Sequence, residues 1–430
     1  MITALIGFAF VLGLAFIGVP LAFALILVGA GGFAYLRGLD PALSMLSQQV
    51  VDVSANYGLS VLPMFILMGL FVFRAKLSED LYQCAHSWLG HRKGGLAHAT
   101  VASCAVFGAV SGSSVATCAT MSKVAIPPML RLGYSPTVSS GAVASAGVLA
   151  ALIPPSVPLI VYGLLTETDI RKLFIATIVP GLLLALLFIL SLVVTVAIKP
   201  SLGPTAERVP VRERLRLMNG LWGLLVLFVI VLGGMYSGIF TVTECAAIGA
   251  IGALAIALAR RRLSLDGFVE CMVDTARTTA MIFVILFGAL TFANFVSLTG
   301  MTFDLVMFIE NMNLSVTGVL IAIAVIYLIL GAIMESMGLL VLTAPIFLTV
   351  VANMGVDPVW FGIFVVILIE LGMLSPPVGM NVFTVKAVCP EIPIRAIFVG
   401  TIPYVVATIV LVGLVIAFPH IITTPLQWFS

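Results

Sequence analysis

Long apolar stretches follow one another along almost the whole chain and are separated by short polar segments. A helix needs about 17 to 25 apolar residues to cross the hydrocarbon layer of a membrane. Stretches of this kind occupy residues 2–17, 20–36, 57–73, 173–198, 220–239, 243–259, 278–298 and 397–421. The same order of segments occurs twice, so the pattern predicts an all-α polytopic membrane protein built from two repeats.

Polar residues and helix breakers interrupt the apolar sequence at matching places in the two halves. Residues 111–117 (SGSSVAT) precede the break IPPS at 153–156, and residues 334–338 (MESMG) precede the break SPPVG at 375–379. Four pairs of positions are separated by the same number of residues: 113 and 335, 136 and 358, 154 and 376, and 155 and 377. The sequences of the two halves therefore align at these positions without a gap. At membrane depth, irregular backbone is tolerated only where it is buried in protein or lines a cavity. We therefore predict that both halves contribute to one binding site near the middle of the membrane.

The segments around positions 113 and 335 could each be two full spans or the two arms of a re-entrant hairpin. With re-entry, each half has five crossings and the halves are inverted, which places most basic residues on one face and leaves Arg37, Arg171 and Lys172 on the other. The positive-inside rule makes the basic face cytoplasmic. Two full spans would instead separate Arg74 from Arg131 across the membrane. The sequence favours two re-entrant hairpins, the first entering from the cytoplasm, with both termini periplasmic.

Composition narrows the class of protein. The chain of 430 residues is 62% hydrophobic and 9% charged, which excludes an ordinary soluble domain. Residues 1–17 lack the basic start and the cleavage site of a signal peptide and are interpreted as the first membrane helix. Residues 199–217 are rich in Pro and Arg and are expected to form a solvated cytoplasmic linker, while residues 43–53 and 263–276 are expected to form helices in the membrane interface.

Oxygen-bearing and charged side chains within the interruptions are the candidates for chemistry. The first tip offers hydroxyls and a flexible glycine, and each pair of prolines frees backbone carbonyls, so both suit a weakly polarising cation. Glu335 and Glu370 are acids within apolar sequence, and each could bind a cation, accept a proton or pair with a neighbour. Lys123 could attract an anionic solute or extend towards the cytoplasm.

An intramembrane hydrolase is the main enzymatic alternative. Residues 109–112 (AVSG) are similar to the GxSG segment of intramembrane serine proteases, but alanine replaces its first glycine. The four histidines have no sequence context that would make one of them a base for Ser111. The chain is therefore expected to be a transporter and not an enzyme.

Five ordered motifs resemble the large membrane subunit of tripartite ATP-independent periplasmic (TRAP) transporters, and the resemblance runs along essentially the whole chain. The motifs lie at residues 63–69 (PMFILMG), 111–117, 151–156 (ALIPPS), 238–244 (GIFTVTE) and 372–381 (GMLSPPVGMN). Val242 stands where the family commonly has proline, and Lys123 stands where small residues are usual. These two departures leave the class intact but weaken any inference about the solute.

The resemblance implies an inverted-repeat, elevator-type, sodium-coupled carrier of an organic acid, such as a dicarboxylate or sialic acid, in the bacterial inner membrane. It implies a small four-helix membrane subunit and a periplasmic substrate-binding protein as partners, no nucleic acid, and no cofactor besides sodium as coupling ion. A single-component carboxylate/sodium symporter of the divalent-anion class is the alternative. The implied solute contacts are Ser113, Ser114, Ser156, Ser336 and Asn381. The implied sodium contacts are Ser111, Gly112, Ser113, Thr117, Pro154, Pro155, Glu335, Gly338, Ser375, Pro376 and Gly379.

These considerations predict a division of the chain into a scaffold and a transport domain. Residues 92–171 and 313–390 are expected to form the two halves of the transport domain, each with one hairpin and one broken helix. The scaffold is expected to comprise residues 1–91, 172–198, 218–312 and 391–430, with the linker at 199–217.

Overall fold

The first half of the chain is a series of helices in the computed structural model, which describes residues 2–312 and 314–428. Proline and glycine mark most of the boundaries between them, as at Pro20, Gly38 and Gly94. The helices are α1 (Ile2–Phe16), α2 (Leu21–Arg37), α3 (Leu39–Ala55), α4 (Val61–Arg74), α5 (Leu77–Leu89), α6 (Gly95–Ser111), α7 (Ser114–Arg131), α8 (Pro136–Ala146), α9 (Leu149–Leu152), α10 (Val157–Leu165), α11 (Ile170–Ala176) and α12 (Ile178–Ile198).

The second half repeats this order. Its helices are α13 (Val211–Met218), α14 (Trp222–Phe228), α15 (Gly234–Tyr236), α16 (Val242–Ala259), α17 (Leu265–Leu298), α18 (Met301–Asn311), α19 (Val316–Gly331), α20 (Ser336–Asn353), α21 (Pro358–Gly372), α22 (Met380–Val388), α23 (Ile394–Ala417) and α24 (His420–Thr423). Helices α7 and α20 begin at 114 and 336 and end at 131 and 353, so both of their ends keep the offset that separates positions 113 and 335. The predicted internal repeat is therefore present in the helix boundaries, and the predicted all-helical class is confirmed.

Eight helical segments are long and apolar enough to cross a membrane among the residues that the structure describes. They include the segments at 57–74, 170–198, 242–259, 265–298 and 394–417, which correspond to predicted spans. The expected breaks also occur. Residues 153–156 separate α9 from α10, and residues 373–379 separate α21 from α22.

The two stretches expected to lie in the interface differ in the structure. The first forms a separate helix, α3, but the second is the beginning of α17, a single helix of 34 residues. The first half breaks because the Asn56 side chain accepts a hydrogen bond from the Gly58 amide at 2.9 Å and turns the chain before α4. No comparable Asn-x-Gly or proline stands within α17, so its helix continues. The segment at 263–276 is therefore helical as expected, but it is continuous with the predicted span at 278–298.

The linker is also more ordered than the expected solvated loop. The Ala206 amide donates to the Gly90 carbonyl at 2.9 Å, and the Gly94 amide donates to the Gly203 carbonyl at 2.9 Å. Farther along, the Arg214 guanidinium is buried and lies 5.5 Å from the centre of the Trp88 ring. These contacts attach the linker to the segment that joins α5 and α6.

Glycines allow close helix crossings at two places that organise the fold. A Cβ atom on Gly29 of α2 would lie 2.8 Å from the backbone of Phe292 in α17. A Cβ atom on Gly400 of α23 would lie 2.0 Å from the Thr137 carbonyl oxygen in α8. Small residues permit this approach between membrane helices, where packing and not hydrophobicity drives association. Helices α2 and α17 therefore form one tightly packed pair, and α8 and α23 form another.

Candidate functional site

The first tip turns through glycine between α6 and α7. Gly112 has φ of +61°, a left-handed conformation that only glycine adopts readily. A Cβ atom there would lie 3.0 Å from the Pro155 carbonyl oxygen, so the turn and the proline break approach each other closely. Ser113 then starts α7, because its hydroxyl accepts a hydrogen bond from the Ala116 amide at 3.4 Å.

Each tip binds the broken helix of its own half through the backbone. The Val157 amide, just after the first proline pair, donates to the Gly112 carbonyl at 3.1 Å. In the second half, the Val378 amide donates to the Ala332 carbonyl at 3.0 Å. Both proline pairs contain a cis peptide bond. The structure thus places each predicted tip against the predicted break of the same repeat.

Hydroxyl groups surround the first break. The Ser111 and Thr117 hydroxyls are hydrogen-bonded to each other across the turn. The Ser156 hydroxyl is fully buried, donates to the Ala151 carbonyl at 2.5 Å and accepts from the Leu159 amide at 3.4 Å. Ser156 therefore joins the two halves of its broken helix and caps α10.

A carboxylate takes the place of the serine cap in the second tip. Glu335 is the N-cap residue of α20. Its Oε2 accepts a hydrogen bond from the Gly338 amide at 3.0 Å, and its Oε1 accepts one from the Ser336 hydroxyl at 3.1 Å. Opposite the tip, the Ser375 hydroxyl donates to the Leu371 carbonyl at 2.8 Å. Gly379 turns the chain into α22 with φ of +60°.

A central cavity of about 660 Å³ lies where both tips meet. Ser111, Ser113 and Ser114 line it from the first tip, and Glu335 and Ser336 line it from the second. The starts of α10 and α22 close it, and faces of α4 and α17 form the opposite wall. Residues of both halves therefore line one cavity, and five of the predicted tip residues are among them.

Other predicted site residues lie outside the central cavity. The Asn381 amide group is fully buried and donates to the Ala144 carbonyl at 3.1 Å, while the Cys118 thiol donates to the Asn381 carbonyl at 3.4 Å. Asn381 thus connects the second broken helix to the first half of the chain. Gly338 lines a separate cavity of about 710 Å³ against α1 and α2, which Glu335 also lines. The predicted residues that do not line the central cavity are Gly112, Thr117, Pro154, Pro155, Ser156, Gly338, Ser375, Pro376, Gly379 and Asn381.

Glu370 lies deep in α21, one turn before the second break. Its side chain is fully buried, and neither carboxylate oxygen has a hydrogen-bond partner among the residues that the structure describes. The Ser114 side chain lies nearby but makes no hydrogen bond of normal geometry with it. The first repeat has Val148 at the corresponding position, since 148 and 370 are as far apart as 113 and 335. The second repeat therefore carries two acids, at 335 and 370, that the first repeat lacks.

The sequence did not identify the wall of the cavity opposite the tips. Ile66, Leu70 and Phe73 of α4 and Met281 and Ile285 of α17 line it. In an apolar membrane helix, residues that face a cavity and residues that face lipid have the same composition, so no pattern separates them. Thr278 is the polar residue that α17 contributes to the cavity lining, and its polarity is the sequence feature that could have indicated this wall.

Repeated broken helices around a shared cavity define the class of secondary transporters. The family model described as "Tripartite ATP-independent periplasmic transporter, DctM component" matches residues 8–421. The chain belongs to this family, and it is therefore the large membrane subunit of a TRAP transporter and not an enzyme.

Several relatives are similar along nearly their whole length. The C4-dicarboxylate TRAP transporter large permease protein DctM of Pseudomonas aeruginosa is 35% identical, with 93% of both chains covered. The sialic acid permease SiaM of Vibrio cholerae is 31% identical, with 95% of both covered, and the ectoine permease TeaC of Halomonas elongata is 31% identical, with 96% of both covered. The YdaH transporter of Alcanivorax borkumensis has a similar fold, with a TM-score of 0.63 at 16% identity over 89% of each chain.

Proposed function

We propose that this chain carries an organic acid into the cell together with sodium, as the large permease subunit of a TRAP transporter. The observation that carries the proposal is the central cavity, which the tips and the broken helices of both repeats line together. C4-dicarboxylates and sialic acid, named for two of the relatives, are organic acids. The solute lies in this cavity and contacts Ser113, Ser114 and Ser336. Ser156 and Asn381 hold the broken helices in position behind them.

Sodium binds where each tip meets its break. The first site uses hydroxyl and carbonyl oxygens of residues 111–117 and 154–155, and the second uses Glu335, Gly338, Ser375, Pro376 and Gly379. The backbone contacts between tip and break support this assignment, because a bound cation links the same two segments. Among the described residues, no three His, Cys, Asp or Glu side chains come together. The proposed sites therefore rely mainly on carbonyl and hydroxyl oxygens.

The hairpins and broken helices move as one body against α4 and α17, in an elevator mechanism. The hairpins are re-entrant, the basic face is cytoplasmic and both termini are periplasmic, as the charge distribution supports. The close crossing at Gly141 and Gly400 supports a moving body that also includes α23. In that respect the proposal departs from the division expected from the sequence, which assigned residues 391–430 to the scaffold.

Reconstitution tests the proposal. The chain is placed in proteoliposomes with its small membrane subunit and a loaded periplasmic binding protein, and uptake is measured with and without an inward sodium gradient. We expect uptake that depends on the gradient and on both partners. Equal uptake without a gradient would contradict sodium coupling, and full uptake by the chain alone would favour the single-component alternative.

A further inference from the structure

The central cavity contains one positive and one negative side chain. Of the described residues that line it, Lys123 and Glu335 alone are ionisable. They lie on opposite elements, Lys123 on α7 and Glu335 at the second tip. A charged group at membrane depth is costly unless it has a partner or a function, so each of them requires an explanation.

Glu335 has hydrogen-bond partners, whereas Lys123 has no ion-pair partner in the described part of the chain. The Glu335 carboxylate accepts hydrogen bonds from the Gly338 amide and the Ser336 hydroxyl. Lys123 takes part in none of the ion pairs found within residues 2–312 and 314–428, and it is exposed to the cavity. Its ammonium group is therefore available to an anion. Those ion pairs join Arg74 to Glu270, Lys76 to Glu79 and Arg260 to Asp80.

The position of Lys123 on α7 directs it towards the site. Ala116, Thr120 and Lys123 follow one another at spacings of four and three residues and line the cavity from one face of the helix. Lys123 lies nine residues after Ser114, which corresponds to about 13 Å along the helix axis. Because Cα–Cβ bonds in a helix tilt towards its N-terminus, the Lys123 side chain leans towards the first tip.

Most of the remaining lining is apolar. Ile66, Leu70 and Phe73 of α4 face Met337 and Met380 near the second tip. Hydroxyls are concentrated at the tips, so the middle of the cavity offers few hydrogen-bond partners to a sugar-like solute. Among the described residues, no cationic side chain other than Lys123 lines the cavity, so a second carboxylate on the solute would find no side-chain partner of opposite charge. The volume of about 660 Å³ lies in the range typical of small-molecule sites.

We propose that the central cavity selects a monocarboxylate with a largely apolar body, and that Lys123 binds its carboxylate group. This inference rests on the proposed function, because it assigns the solute to the cavity between the tips. It narrows the class of solute beyond organic acids in general. The hydroxyls of Ser113 and Ser336 then bind at most one small polar substituent.

The test measures thermal unfolding of the purified chain in complex with its small membrane subunit, in sodium-containing buffer. The probes are hexanoate and phenylacetate, their uncharged amides, and the dicarboxylates succinate and malate. We expect the two monocarboxylates to raise the unfolding temperature more than the amides or the dicarboxylates. Equal stabilisation by succinate and phenylacetate would overturn the proposed selectivity.

Variants test the role of Lys123 itself. Lys123→Gln is expected to weaken monocarboxylate binding about tenfold or more, because a charge-assisted hydrogen bond is worth about 1.5–3 kcal/mol. Lys123→Arg should keep most of the affinity, and Lys93→Gln, an exposed lysine outside the cavity, should change nothing. Unchanged affinity in folded Lys123→Gln would refute the role of Lys123. If that variant does not fold, two other measurements test the role of Lys123. Lys123→Arg should retain binding, and the unmodified chain should prefer monocarboxylates; absence of these results would refute the proposal.

The proposed function and this inference fail in different ways. Loss of the sodium dependence of uptake in proteoliposomes contradicts the proposed function whatever the solute. Sodium-dependent uptake, together with unchanged monocarboxylate affinity in Lys123→Gln, contradicts only the inference about the solute. The two experiments use the same purified complex.

Discussion

The two hairpin tips share a backbone arrangement but differ in charge. In both, an amide that follows the proline pair donates to a carbonyl near the turn: Val157 to Gly112 at 3.1 Å, and Val378 to Ala332 at 3.0 Å. Ser113 caps α7, whereas Glu335 caps α20, and Val148 in the first half corresponds to Glu370 in the second. Both halves thus join the tip to the break through the backbone, although not at corresponding residues. At the matching positions 113/335 and 148/370, only the second half carries acids.

This difference has consequences for cation binding. A carboxylate close to a cation contributes far more Coulomb energy than a neutral hydroxyl at the same distance, particularly away from bulk water. We expect the second site to depend mainly on charge. We expect the proposed first site to depend on the accurate placement of carbonyl and hydroxyl oxygens, so that changes in the backbone of the turn weaken it most.

The largest expected effect follows from changing the backbone of the first tip. Gly112→Ala places a side chain at a φ of +61°, which costs about 1–2 kcal/mol, and pushes on the Pro155 carbonyl. We expect sodium-driven uptake to fall more than tenfold and the unfolding temperature to drop. Gly413→Ala in α23 is the control, because its new Cβ atom meets nothing within 4 Å. Equal losses in the two variants would refute a special dependence on the backbone of Gly112.

The next effect concerns the charge of the second tip. Glu335→Gln keeps the shape of the side chain but removes its charge, and hydrogen bonds to charged groups are worth about 1.5–3 kcal/mol. We expect the sodium concentration for half-maximal uptake to rise about tenfold or more. Glu391→Gln, at an exposed acid outside both cavities, should leave it unchanged. An unchanged sodium requirement in Glu335→Gln would mean that the carboxylate serves only as a helix cap.

A smaller effect is expected from the cap of the first tip. Ser113→Ala removes the hydrogen bond from the Ala116 amide, and loss of an N-cap costs about 0.5–2 kcal/mol. We expect a two- to fivefold rise in the sodium requirement. Ser113→Asp restores the cap and adds a charge, which makes the first tip resemble the second. It should lower the sodium requirement below that of the unmodified chain, and a rise would contradict the assigned difference between the tips.

The repeat and its breaks could be predicted from the sequence because prolines, glycines and serines stand out in apolar surroundings. The offset between positions 113 and 335 also aligns both ends of α7 with those of α20. Local chemistry is sufficient here, because Gly112 and Ser113 end and begin helices whatever surrounds them.

The partners of each polar side chain could not be predicted in the same way. The amide group of Asn381, which was predicted as a solute contact, donates to the Ala144 carbonyl in the other half of the chain. Such contacts depend on how helices cross, and the crossings depend on small residues such as Gly141 and Gly400 whose partners are distant in sequence. The linker differed from expectation for the same reason, because its contacts with Gly90 and Gly94 are distant in sequence. The continuous α17 has a local cause, since it lacks the Asn-x-Gly turn of the first half.

The smallest expected effect tests the second acid, Glu370. A charged carboxylate that is fully buried, with no cationic partner among the described residues, costs several kcal/mol, whereas Gln has the same shape without the charge. If Glu370 only fills space in α21, Glu370→Gln should keep or raise the unfolding temperature and reduce uptake no more than about twofold, a change of roughly 0.4 kcal/mol. The reciprocal change Val148→Glu buries a new acid in the first half, so it should lower the unfolding temperature markedly. Abolished sodium-driven uptake in a stable Glu370→Gln variant would contradict this expectation. Both acids of the second half would then take part in coupling, and the two halves would differ in mechanism as well as in charge.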